Sequence, residues 1–166
     1  MGRESKKQKH EFEPVFDGES KILILGTFPS VKSREMQFYY GHPQNRFWKV
    51  IAGVTESEVP VTIAEKKDLL LRNKIAIWDV IAQCEIVGSS DSSIKNVVPA
   101  DIGRVLQNSS IKKVYANGNA AKKLYDKYIL PKLSVEIEGL PSTSPANAGY
   151  SLERLLEVWK RIGEYL

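Results

Sequence analysis

Apolar and polar positions along this chain fall into two kinds of block. The runs KILIL (residues 21–25), KIAIWDV (74–80), IKKVYA (111–116) and VEI (135–137) are short and rich in β-branched residues, and the first stops at Gly26. Runs of this kind predict four strands, the solid ones buried on both faces. Between them apolar residues recur at helical spacing. Residues 43–53 carry Pro43 in what would be a first turn, where its missing N–H is harmless, and end near Gly53. A second helix starts at Thr62, with Glu65 at capping-box spacing and Leu69, Leu70 and Leu71 facing inward. Further helices are expected over 99–108, 120–129 and 151–166, the last presenting Leu152, Leu155, Leu156, Trp159 and Ile162 on one face. The stretches 26–44 and 84–101 read as loops, the second because Gly88 and a block of serines and one aspartate at 89–93 cannot pack as a core element.

Strands alternating with helices predict an α/β fold, a three-layer α/β/α sandwich around a central, mainly parallel four-stranded sheet. Ligands of such sheets bind where loops leave the C-terminal ends of the strands. Four polar segments would meet there: GTFPS, residues 79–93, NGN at 117–119 and GLPSTSPANAG at 139–149.

Length and composition narrow the picture. The 166 residues suit one domain, and 42% hydrophobic with 27% charged residues is the balance of a globular protein, not of a disordered or repeat chain. No apolar stretch reaches the roughly 18–20 residues of a membrane span and no secretory signal is recognisable, so the cytoplasm is the expected compartment. One cysteine and two histidines are too few for a Cys/His zinc site or a four-cysteine iron–sulfur site within one chain, so no cofactor and no metal are expected.

The net charge of +4 is compatible with a polyanionic partner without requiring one. Arg3, Lys6, Lys7 and Lys9 against Glu4 concentrate positive charge in the first ten residues, so residues 1–18 are expected to be a flexible basic tail, ahead of a folded domain over 19–166. The tail is either a solvated end or a source of non-specific phosphate attraction. No GxGxxG follows the first strand, and neither GxxxxGK[ST] nor GxSxG occurs, which sets aside dinucleotide, P-loop and serine-hydrolase readings.

Three rim segments stand out: GTFPS (26–30), YYGHPQNRFW (39–48) and LPSTSPANA (140–148), supported by WDV at 78–80, GSSDSSI at 88–94 and NG at 117–118. In these motifs, taken in this order, residues 21–166 resemble the uracil-DNA glycosylase superfamily, and most closely its hypoxanthine-DNA glycosylase branch. The resemblance implies a monofunctional, monomeric DNA repair enzyme of base excision. Such an enzyme flips a deaminated base from damaged DNA and hydrolyses its N-glycosidic bond, leaving an abasic site. Hypoxanthine is the expected base; a uracil or mismatch-type glycosylase and a non-catalytic nucleic-acid or nucleotide-binding module are the alternatives.

The resemblance also implies roles. Where mismatch-specific relatives hold their water with an asparagine of the first motif this chain has Phe28, and the important asparagine of the hypoxanthine branch falls on Asn45. An amide carbonyl there would orient a water and its NH₂ would donate to base or phosphate. His42 would assist electrostatically or hydrogen-bond a phosphate, the base or only its loop. Gly26, Thr27 and Phe28 would border the base, Tyr40 would stack on it or belong to the core, and Asn117 would read its edge or simply make an Asn-Gly turn. Pro141, Ser142, Thr143, Ser144 and Asn147 would meet DNA, a rigid proline-bounded loop with small hydroxyls being suited to phosphates. Asp79 and Asp91 would stabilise positive sugar charge or cap turns. Lysines 112, 113, 122, 123, 127 and 132 are solvated faces or a phosphate track.

Overall fold

The computed structural model describes residues 4–166. Its strands are β1 (Lys6–Lys9), β2 (Ile22–Gly26), β3 (Ile75–Asp79), β4 (Ile81–Ile86), β5 (Lys95–Pro99), β6 (Lys113–Asn117) and β7 (Glu138–Leu140). The helices are α1 (Val31–Met36), α2 (Phe47–Val54), α3 (Ile63–Arg72), α4 (Ile102–Gln107), α5 (Asn119–Tyr128), α6 (Leu130–Leu133) and α7 (Leu152–Trp159). A parallel sheet of order β3-β2-β6-β7 carries helices on both faces, the expected three-layer sandwich. Every residue of β2 and β3 is buried, the reason these strands read as unbroken apolar runs.

The chain leaves β2 toward β3 on one side and reaches β6 on the other, so the order reverses beside β2. This is the switch point at which neighbouring loops diverge and leave a crevice. Gly26 pairs with Asp79 and Asn117 with Leu140, which places all four residues at the C-terminal edge of the sheet.

Several elements differ from expectation. Residues 84–101 do not form one loop: they include the second half of β4 and all of β5, which join β1 in an antiparallel sheet of order β1-β4-β5. Only the turn between β4 and β5, with a 3-10 turn at Asp91–Ser93, is loop-like. Residues 6–9 are therefore not a free tail, and Lys6 to Lys9 pair with Ile86 to Gln83. Main-chain bonds hold this edge strand while the lysine side chains point to water, so hydropathy does not reveal it. Val15 continues the docking with two hydrogen bonds to Ile77, on the outer edge of β3. Residues 1–3 of the expected tail lie outside the described residues.

The helix expected from Pro43 starts only at Phe47, that expected at 99 starts at Ile102 behind the cap Asp101, and the fourth parallel strand lies three residues later than VEI. Residues 31–36, read as loop, form α1 on a Ser30 cap. The Thr62–Glu65 capping box is present in both directions, at 3.1 Å each way. The C-terminal segment is helical over α7 and then tightens into a 3-10 turn at Lys160–Tyr165. Among the described residues no helix is long and apolar enough to cross a membrane.

Candidate active site

A cavity of about 400 Å³ opens at the switch point. That lies toward the small end of the roughly 300–1,000 Å³ usual for small-molecule sites. Gly26, Thr27, Phe28, Tyr40, His42, Asn45, Asn117, Ser142, Thr143 and Ser144 all line it. Pro141 and Asn147 do not; they line an adjoining groove with Asn119, Lys122 and Tyr150. Of the six lysines singled out in the sequence, Lys122 is the one that borders this groove.

The order inside the cavity comes from Thr143, which is fully buried. Its N–H donates to Asn117 Oδ1 at 3.0 Å, its hydroxyl accepts from Asn117 Nδ2 at 3.0 Å, and the same hydroxyl donates to Asn45 Oδ1 at 2.8 Å. Asn45 Oδ1 also accepts from the Phe47 N–H at 2.9 Å, at the start of α2. Both lone pairs of that oxygen are therefore used within the protein, and the Asn45 NH₂ is what remains for a ligand. The water-orienting carbonyl expected at Asn45 is thus committed elsewhere. Asn117 holds Thr143 at both ends of its amide, which uses one of its two N–H donors and one lone pair of its oxygen and leaves the other of each.

Arg46 had no part in the sequence reading and organises the loop. Its guanidinium donates to the carbonyls of Ser144 at 2.8 Å, Asn147 at 3.1 Å and Thr143 at 3.4 Å, and also to that of Tyr150. Its own N–H donates to Thr143 O at 3.1 Å. Short ST turns, Ser144 N–H to Ser142 Oγ and Ala146 N–H to Ser144 Oγ, complete the loop. Gly118 sits beneath it at φ +96°, where a Cβ would come within 3.0 Å of Ser142 Cβ. The adjacent Arg in HPQNRFW was the available signal, since a planar fork of donors is the group suited to gathering several carbonyls.

The opposite wall is built by the serine-rich turn folding over GTFPS. Thr27 Oγ1 donates to Asp91 Oδ1 at 3.0 Å, the Val31 N–H donates to Ser89 Oγ at 2.9 Å, and Arg34 spans the Pro29 and Gly88 carbonyls at 2.9 and 3.0 Å. Asp91 lines both the cavity and the groove. Solvent reaches it from the mouth, but crowding by neighbouring atoms raises its carboxyl above the ordinary carboxylate value; the Thr27 hydroxyl pulls the other way and Asp79 adds to the rise.

His42 Nδ1 accepts the Gln44 N–H at 3.1 Å, which fixes the neutral ring as the Nε2–H tautomer. Tyr40 holds φ at +53°, uncommon for an aromatic residue, and lies on Phe47 with ring centroids 3.9 Å apart and planes 22° apart. One face of the expected stacking residue is therefore already covered. Phe28 is nearly buried, with the Arg34 guanidinium 5.6 Å above its ring.

The back wall holds a residue placed by the sequence in the tail. His10 Nε2–H donates to Asp79 Oδ2 at 2.8 Å, with both side chains almost wholly buried. Phe12, Phe28 and Tyr39 surround the imidazole. The nearest sequence signal was the apolar spacing of Phe12, Val15 and Phe16, which marks a segment that docks on a core.

The chain matches the family model of the uracil DNA glycosylase superfamily over residues 13–163. It is 32% identical over 156 residues to a protein of Methanosarcina acetivorans named as a hypoxanthine DNA glycosylase, covering 93% of this chain and 97% of that one. A protein of the same name from Methanosarcina barkeri is 36% identical over 90 residues, 54% of this chain and 57% of its own. The solution structure of a candidate uracil DNA glycosylase from M. acetivorans superposes with a TM-score of 0.77 at 31% identity, over 91% of this chain and 93% of that one. By the extent of the family match and the share of the chain it covers, this protein belongs to the uracil DNA glycosylase superfamily.

Proposed function

We propose that this protein hydrolyses the N-glycosidic bond of hypoxanthine in DNA and leaves an abasic site. The observation that carries this reading is the junction between cavity and groove. A base-sized cavity opens directly onto a groove edged by Lys122 and the small-residue loop, and Asp91 is the ionisable residue lining both. A nucleotide rotated out of a duplex puts its base in such a cavity and its phosphates along such a groove, so the bond to be broken lies at that boundary. The relatives named as hypoxanthine DNA glycosylases support the choice of base.

The chemistry follows from the groups present. As the bond to C1′ lengthens, its electron pair passes to the base and positive charge develops on the sugar. The Asp91 carboxylate faces that charge, and the Asn45 NH₂ and His42 Nε2–H are donors for the departing base. Water adds to C1′ and gives its proton to Asp91; the released base takes a proton from solvent. Phe28 and the free side of Tyr40 border the ring, and residues 141–147 meet the backbone. Among the described residues no lysine lines the cavity, so no amine is placed to form a Schiff base and the reaction ends at the abasic site. The enzyme works as a monomer in the cytoplasm without a metal.

The test is alkaline cleavage of end-labelled duplexes carrying one inosine or one uracil, after incubation with the protein in chelator. Cleavage at inosine and not at uracil is expected. Cleavage at uracil alone would move the assignment to the uracil type, and binding without cleavage at either would leave a non-catalytic module.

Asp91→Asn separates chemistry from folding. Loss of a group acting on a proton in the transition state lowers cleavage about 10²-fold or more. The folded-state pKa of Asp91 is raised, so its ionisation disfavours the native state, a penalty that appears as pH rises past the ordinary carboxylate value of 3.8. The variant is therefore expected to melt higher than wild type at pH 7. The wild-type rate should climb with pH through a range above 3.8, and the variant should lack that climb.

A further inference from the structure

At the back of the cavity two polar groups converge on one point. A Cβ built on Gly26 would lie 2.5 Å from Asp79 Oδ1 and 3.1 Å from the Tyr40 hydroxyl, so only a glycine lets both groups close together on the end of β2, and all three residues line the cavity. Asp79 Oδ2 is taken by His10, which leaves Oδ1 as an acceptor. The Tyr40 hydroxyl is sealed from solvent; the Asn117 amide beside it favours its ionised form, as an N–H donor would, and no acceptor within hydrogen-bond geometry takes its O–H. Burial and the neighbouring Asp79 push it far above the ordinary phenol range, so it remains an O–H donor. A buried donor without a partner is costly, and at the end of a ligand cavity it marks a place a ligand atom completes.

We propose that Asp79 Oδ1 and the Tyr40 O–H read the adjacent N–H and C=O of a base's lactam edge, with His10 as the positioning residue that aims Asp79. This deepens the function proposed above and rests on it. Deamination converts the amidine of adenine, a ring nitrogen acceptor beside an amino donor, into the N1–H and O6 of hypoxanthine, reversing both hydrogen-bonding senses. An acceptor and a donor fixed side by side accept the product, whereas against the parent base the Asp79 oxygen meets the N1 lone pair and is left unpaired. Uracil carries the same arrangement at N3–H and O4, so this pair reads the deamination, not the ring size. Guanine shares the edge too, and its rejection falls to the rest of the wall and to the strength of its pair in the duplex. His10 is suited to its part: its main-chain N–H donates to Ala82 O at 2.8 Å, fixing the residue at the end of β1, and aromatic rings pack around its imidazole.

The test uses free bases, so that it reads recognition whether or not cleavage occurs. NMR titrations of the full chain with hypoxanthine, 1-methylhypoxanthine and adenine compare wild type with Tyr40→Phe, Asp79→Asn and His10→Asn. Hypoxanthine should bind at least about tenfold more tightly than the other two, because a site built to pair a polar group rejects an analogue lacking it. The preference over 1-methylhypoxanthine should collapse in Asp79→Asn, and that over adenine should shrink in Tyr40→Phe. His10→Asn should lower the preference even where the spectrum shows a native fold, an effect on discrimination that a purely structural residue would not have. Tyr40→Phe removes a single oxygen and keeps the test decisive should the Asp79 variant unfold. Equal affinity of wild type for the three bases, or no measurable affinity for any, would overturn the proposal. A clear preference for hypoxanthine in a protein that does not cleave inosine duplexes would overturn the catalytic reading alone.

Discussion

Asn45→Ala is expected to bind an inosine duplex nearly as wild type does and to release the base about 10²–10³-fold more slowly, the usual cost of removing one donor aimed at developing charge. The NH₂ of this side chain faces the cavity because its oxygen is held at 2.9 Å by the Phe47 N–H and at 2.8 Å by the Thr143 hydroxyl. The alanine variant loses both functions, including a cap-like contact at the first turn of α2 that contributes about 1 kcal/mol. Asn45→Asp separates them. Aspartate keeps an oxygen for Phe47 and Thr143 and puts a second acceptor where the donors were. It should retain the wild-type melting temperature within a few degrees and lose base release at least as completely as alanine. Single-turnover cleavage beside thermal melting reads both. An Asn45→Asp enzyme with near-normal cleavage would show that the NH₂ does not act on the base.

Arg46→Ala is expected to damage folding and activity together. The guanidinium gathers the carbonyls of Thr143, Ser144, Asn147 and Tyr150, all from one loop. Hydrogen bonds to a charged group are worth about 1.5–3 kcal/mol each. In a loop this close to water the freed carbonyls rehydrate, so the net loss should be about 3 kcal/mol, not the sum. Thr143 then loses its fixed position, and with it the bond that holds Asn45, so cleavage should fall more than about 100-fold. Arg46→Lys should rescue little, because an ammonium is a point donor and cannot span four carbonyls. Urea unfolding gives the stability, and hydrogen exchange should show faster opening of residues 142–147 with α2 still protected. Wild-type exchange in that loop would mean that the ST turns hold it unaided.

The parts of this molecule that were legible in advance are those whose structure is written in neighbouring residues. KILIL and KIAIWDV are strands because a run buried on both faces has no polar alternation to show, and both are buried throughout. Thr62 and Glu65 form their capping box because its partners lie three residues apart. The rim was legible for the same reason: once the strand ends are placed, the loops that follow Gly26, Asp79, Asn117 and Leu140 meet by topology.

What failed to show depended on partners far away in the chain. The lysine-rich segment 6–9 looks like a tail because its side chains are polar, yet its main chain completes an edge beside β4. His10 lies 69 residues from Asp79, and nothing local marks it as a buried partner. Pro99 reads as the start of a helix because a proline suits a first turn, and becomes the end of β5 through pairing with β4.

The sequence by itself thus determined the parallel sheet, the helices that cover it, the rim on which a ligand sits and the candidate residues around it, because hydrophobic period, caps and turns act over a few residues. The tertiary structure alone decided which atoms of those residues are free. Asn45 turns its NH₂ to the cavity, Asn117 holds Thr143 with one N–H and one lone pair, and Asp79 shows one oxygen while His10 holds the other. A hydrogen bond is used up by whichever partner reaches it first in space, and that is settled by packing across 26 to 98 residues of chain separation, where no local pattern records it.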